Sequence, residues 1–106
     1  MNKLYAAIAG GAFAAVIAAP ASGADQLALA QKSGCTACHS VDRKIVGPAF
    51  KNVAAKYRGD KGAEARLIKK VEDGGSGVWG QIPMPPNTQV KPEDVKKLVE
   101  WVLSLK

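Results

Sequence analysis

Cys35-Thr36-Ala37-Cys38-His39 is where a reading of this chain has to begin. Two cysteines with two residues between them, followed at once by a histidine, form the pattern of a c-type haem attachment site. Each thiol adds to one vinyl group of the porphyrin, and the adjacent imidazole is placed to bind iron. A cofactor held by two covalent bonds stays in place even in a chain too short to enclose it. Three other uses of a Cys-x-x-Cys pair compete. A thioredoxin-like redox pair calls for a βαβ pattern around it, and none is visible. A zinc site normally takes more ligands than the two Cys and one His of this sequence can supply. A structural disulfide suits a secreted domain but leaves His39 without a role. The motif favours haem.

Outward from the motif towards the N-terminus, the first two dozen residues have the character of an export signal. Lys3 gives a positive start, and residues 4–19 are uncharged, Ala-rich and mostly apolar. Pro20 breaks the run, and Ser22-Gly23-Ala24 offers small residues to a signal peptidase. The apolar run is short against the roughly 20 residues a bilayer core requires, and Gly10 and Gly11 weaken it further. The expected division is a cleaved signal peptide at 1–24 and one domain at 25–106. Thioether attachment takes place outside the cytoplasm in bacteria, so the export signal and the motif agree on the periplasm. No stable membrane insertion is expected once the signal is removed.

A domain of 82 residues starting at Asp25 has a thin core, and chains near this size often recruit a cofactor to complete it. Among charged side chains cleavage removes Lys3 alone. That leaves 14 basic against 9 acidic residues, a net charge of +5. No dense Lys/Arg run interleaves with aromatics, which argues against nucleic acid as a partner. The excess is compatible with ordinary solubility or with a positive face that steers the protein to acidic partners. Lys32, Arg43, Lys44 and Lys51 lie near the motif in sequence and are candidates for that face.

The periodicity is helical throughout. A short helix is expected over 26–33, with Asp25 as N-cap and Gly34 closing it. Phe50, Val53, Ala54 and Tyr57 recur at i, i+3, i+4 and i+7, marking an amphipathic helix that ends before Gly59. Residues 62–73 carry Leu67, Ile68 and Val71 on one face and stop at Gly74-Gly75. Pro92 opens a last helix along which Val95, Leu98, Val99, Val102 and Leu103 keep helical spacing. Between 74 and 88 no period survives, and the prolines and glycines enforce an irregular loop. No stretch alternates long enough for a strand. The fold class is all-α, with four to five short helices around one haem.

That loop holds the second informative residue. Met84 is flanked by Pro83 and Pro85 and is the one methionine besides Met1. Iron bound by one histidine has a second axial position, and a thioether there raises the reduction potential. Prolines fix φ and stiffen the segment, so the sulfur can be held without packing from a helix. His39 and Met84 are therefore the expected metal ligands.

With CTACH, Val46-Gly47-Pro48-Ala49, the loop GVWGQIPMPPN and a final helix bearing Trp101, the chain resembles the class I cytochromes c. Within them it is most similar to the small bacterial periplasmic donors to cytochrome cd nitrite reductase, over the whole of 25–106. The resemblance implies that Cys35 and Cys38 form the thioethers of a single haem c, with His39 and Met84 as axial ligands. It implies that the Pro48 carbonyl accepts the remaining ring N–H of His39, and that Asn87 donates to the Met84 sulfur. Trp79 is matched to an indole that hydrogen-bonds a haem propionate, and Lys70 to a basic partner of a propionate. Gln81 departs from the pattern, since related chains can have proline there. Trp101 and Leu98 read as packing residues where the last helix crosses the first. The implied function is a one-electron carrier, not an enzyme. It would take electrons from a quinol-oxidising complex and pass them to a terminal reductase, with nitrite reductase ahead of an oxidase or a peroxidase. Two other classes compete, a peroxidase and a sensor of a small ligand such as nitric oxide. Both need the methionine to leave readily, which a proline-flanked ligand resists.

Overall fold

The computed structural model describes residues 23–106, so the expected signal segment lies almost wholly outside the described residues. Four α-helices follow in order: α1 (Gly23–Lys32), α2 (Phe50–Lys56), α3 (Ala63–Asp73) and α4 (Pro92–Ser104), with one turn of 3₁₀-helix at Cys35–Ala37 between α1 and α2. The first helix is already formed at Gly23, the first described residue, ahead of the start its pattern predicts. Asp25 sits within the first turn of α1 instead of capping it, and Lys32 occupies the last turn. This arrangement puts charges of the favourable sign at both ends of the helix dipole. The expected cleavage point after Ala24 therefore falls in the first turn of α1.

Helix ends follow local chemistry. Gly34 takes φ +85°, a left-handed conformation suited to glycine, and its N–H donates to the Gln31 carbonyl 3.1 Å away. α2 begins straight after Pro48-Ala49 and gives way at Tyr57 to a turn through Gly59. α3 has no side-chain cap on Gly62 itself. Instead the Asp60 carboxylate accepts the Gly62 N–H at 3.0 Å and pairs with Arg66 one turn into the helix. α4 starts on Pro92, whose missing N–H is not needed there, with Glu93 and Asp94 in the first turn.

α4 is the hub: it packs against α1, α2 and α3. Its buried residues are Val95, Leu98, Val99 and Val102, four of the five that the periodicity selects. Phe50 and Val53 of α2 cluster with Val102, and Cys35, Tyr57, Leu67 and Trp101 lie against them. Trp101 meets the Phe50 ring edge-on at 5.6 Å. A Cβ on Gly23 would come within 3.9 Å of its indole nitrogen. Trp101 thus packs between α2 and the start of α1. Val95 is the one large side chain with essentially no exposure among the described residues. The helices alone enclose little.

Among the described residues there is no strand, only two isolated antiparallel bridges, His39 with Lys44 and Gly75 with Met84. Each fastens the backbone of an expected axial ligand.

Candidate haem site

A cavity of about 360 Å³ opens between the helices and the 75–87 loop. Cys35, Cys38, His39 and Met84 all line it, although His39 and Met84 are 45 residues apart in sequence. Its walls are mostly apolar: Phe50, Val53, Leu67, Leu98, Val99 and Val102 contribute from three helices. Both cysteines are half-buried and no disulfide joins them; before any attachment, burial pushes the Cys35 thiol up from its ordinary value.

The His39 ring is held on three sides. Its Nδ1 lies 2.7 Å from the Pro48 carbonyl oxygen. A carbonyl can only accept, so Nδ1 carries the proton and donates, leaving Nε2 with a free lone pair for a metal. Such a bond also fixes the ring's orientation and makes the imidazole a stronger donor. Phe50 stacks on the ring, with centroids 4.9 Å apart and planes 21° from parallel. The third side is the backbone at Gly47. A Cβ there would come within 2.5 Å of His39 Cε1, so only glycine lets the chain approach this closely. The Gly47 N–H in turn donates to the Cys38 carbonyl at 2.7 Å, which ties the 46–49 turn to the motif.

Met84 is held through its backbone. Its N–H donates to the Gly75 carbonyl at 2.8 Å, and its own carbonyl accepts the Gly75 N–H at 2.9 Å. Gly74 has φ +75°, and a Cβ on it would meet the Met84 carbonyl oxygen at 2.5 Å. Asn87 completes the clamp: its backbone N–H donates to the Val71 carbonyl at 3.0 Å, and its side-chain amide to the carbonyls of Val71 and Pro85, each at 3.2 Å. In this structure the Asn87 amide thus braces the loop against α3, whereas the resemblance gives it the Met84 sulfur as acceptor. Pro83 and Pro85 stiffen the segment on either side.

Trp79 lines the mouth of the cavity, 42% exposed. Lys70 also lines it, its ammonium lying over Gly75. Of the basic residues near the motif, Lys51 is paired with Asp42 at 2.7 Å. Lys32, Arg43 and Lys44 form no ion pair among the described residues.

These residues suit a covalently held haem. Two thiols, an imidazole with its lone pair free and a thioether share one apolar chamber, and no cluster of three or more His, Cys, Asp or Glu side chains offers a different metal site among the described residues. The sequence profile of the family described as "Cytochrome c" matches residues 26–106. The chain belongs to the cytochrome c family. It is 62% identical over 94 residues to cytochrome c-551 of Allochromatium vinosum, covering 89% of this chain and 99% of that protein. To cytochrome c-551 of Pseudomonas aeruginosa it is 46% identical over 104 residues, 98% of this chain and 99% of the relative. The crystal structure of cytochrome c552 from Nitrosomonas europaea superposes with a TM-score of 0.73 at 52% identity, over 76% of this chain and 99% of that one. The chain is thus a small bacterial class I cytochrome c, an electron-transfer protein with one covalently bound haem c, and not an enzyme.

Several wall residues were not legible as site residues. Leu98 and Trp101, read as plain packing, line the cavity along with Val99 and Val102. A helix facing a cofactor and a helix facing another helix show the same apolar spacing, so periodicity cannot separate them. Gly47 had a signal, its place between the motif and Pro48, but its reason is the distance to the His39 ring.

Proposed function

We propose that Cys35 and Cys38 carry the thioethers, that His39 and Met84 are the two axial ligands, and that the chain shuttles single electrons in the periplasm after removal of residues 1–24. The observation that carries this reading is that His39 and Met84 line one cavity, each on a segment pinned by backbone bridges. When bound, the haem supplies a one-electron couple. The protein's contribution is to hold both ligands still. His39 is oriented by the Pro48 carbonyl, Phe50 and Gly47, and Met84 by Gly75 and Asn87. With His39 and Met84 both holding the iron, no place on it would be left for peroxide, nitrite or nitric oxide. Thioether ligation in an apolar chamber favours the less charged reduced state, so the potential is expected to be clearly positive. Pro48 and Asn87 act by orienting the ligand segments, and Trp79 offers its N–H at the mouth of the cavity.

A quinol-oxidising complex would supply the electron, and a terminal reductase would receive it, with nitrite reductase preferred over an oxidase or a peroxidase on the strength of the family resemblance. Docking would use the rim beside the motif, where Ile45 and Val46 are exposed next to Arg43 and Lys44, which form no ion pair among the described residues. The ligand assignment is tested by the weak sulfur-to-iron absorption band near the red edge of the ferric spectrum. It is expected in the wild type and absent in Met84→Ala; its persistence in the variant would remove Met84 from the site.

A further inference from the structure

The ligand loop is weakly attached between its two ends. Gly75 and Met84 pair with each other, and the one hydrogen bond inside the segment, from the Gly77 N–H to the Gly80 carbonyl at 2.8 Å, is internal to a turn. Among the described residues, no hydrogen bond or ion pair ties residues 76–83 to a helix. Gly77 and Gly80 both have positive φ, at +110° and +118°, and Val78 and Ile82 are 53% and 67% exposed. A segment of this kind has much conformational freedom to lose on closing, and no hydrogen bond to a helix helps to hold it.

A cation–π contact crosses from the body of the protein to this turn. Lys56, the last residue of α2, places its ammonium 5.7 Å from the centroid of the Trp79 ring and 5.8 Å from that of its neighbour Tyr57. Cation–π attraction is strongest for the indole, and the Lys56 ammonium has no carboxylate partner among the described residues to compete for it. We propose that Lys56 is a positioning residue that latches Trp79, and with it the 76–83 turn, across the cavity mouth, so that the Met84 sulfur is less readily displaced. Lys56 does not line the cavity and touches none of the ligating atoms. It acts through the Trp79 ring. The inference rests on the reading of Met84 as an axial ligand.

The test uses the haem-loaded protein in its ferric state and titrates it with imidazole, an external ligand that binds only when the Met84 sulfur has left. An exposed cation–π pair contributes about 0.5–1 kcal/mol, so Lys56→Gln is expected to tighten imidazole binding about two- to five-fold. Lys56→Arg, which keeps the cation, should restore the wild-type value. In a Trp79→Leu background Lys56→Gln should add nothing, because the latch has already lost its ring. An undiminished effect there would mean the lysine acts by long-range charge alone, and the latch would be overturned. So would equal imidazole affinity in the wild type and Lys56→Gln. A Met84→Ala control separates the two levels: if it binds imidazole no more tightly than the wild type, the ligand reading fails and the latch falls with it. If it binds much more tightly, the Lys56 outcomes judge the latch by itself.

Discussion

At Gly47 the absence of a side chain is what matters. His39 can give its Nδ1 proton to the Pro48 carbonyl only because the intervening backbone lies against the ring face. Gly47→Ala is expected to push the imidazole away, lengthen or break the 2.7 Å bond and weaken the histidine as a donor. Overpacking of this kind costs about 1–3 kcal/mol, which should appear as a lower melting temperature of the loaded protein. A shift in reduction potential should accompany it, because the ring's hydrogen bond sets its basicity. A variant matching the wild type in both would show that the ring has room to spare.

Among the elements, α3 offers a pH-dependent test. Arg66 beside the Asp60 carboxylate, and next the Gly62 N–H, hold this acid below its ordinary value. A carboxyl whose folded-state pKa is depressed adds stability that is present above its unfolded value, about 3.9, and lost as pH falls through the folded one. Asp60→Asn removes the charge while keeping an oxygen for Gly62. The variant should therefore melt below the wild type at neutral pH. The gap should begin to shrink as pH drops below about 4 and close only once pH has fallen through the depressed folded value, where the wild-type acid is itself neutral. The exposure of the pair keeps the effect small. A gap independent of pH would assign the helix start to other contacts. At the other end of this helix, Gly74 and Asn87 join α3 to the Met84 segment, so fraying there is communicated to the site.

For the whole molecule, the cofactor and the core are one structure. Phe50, Val53, Leu98, Val99 and Val102 are buried residues that also line the cavity. Without haem their inner faces would meet water, and a domain of this length has little other burial to offset chain entropy. The haem-free chain is expected to lack a cooperative melt by far-UV circular dichroism; a native-like transition would contradict this. Charge acts at the same scale. The whole sequence carries a net +6, and Lys32, Arg43 and Lys44 near the motif form no ion pair among the described residues. Electron-transfer rates to an acidic partner should then fall as salt rises, since exposed charges are screened beyond about 10 Å at 0.1 M. Rates insensitive to salt would leave docking to Ile45, Val46 and their apolar neighbours.

The haem motif, the all-α class, three of the four helices to within a residue or so, and the candidacy of His39 and Met84 were all legible in the order of residues. Each of these is local: thiol spacing, a 3.6-residue period, a proline or glycine at a helix end. The early start of α1 escaped, because Gly23 and Ala24 are as suitable to a signal cleavage site as to a helix. It took the packed fold to reveal that Leu98 and Trp101 wall the cavity, that Gly47 leaves room for the His39 ring, that Asn87 braces the loop through Val71 and Pro85, and that Lys56 reaches Trp79. These relations join residues far apart in the chain or depend on distances of a few ångströms. Such distances are set by how the four helices pack, and no spacing along the sequence encodes them.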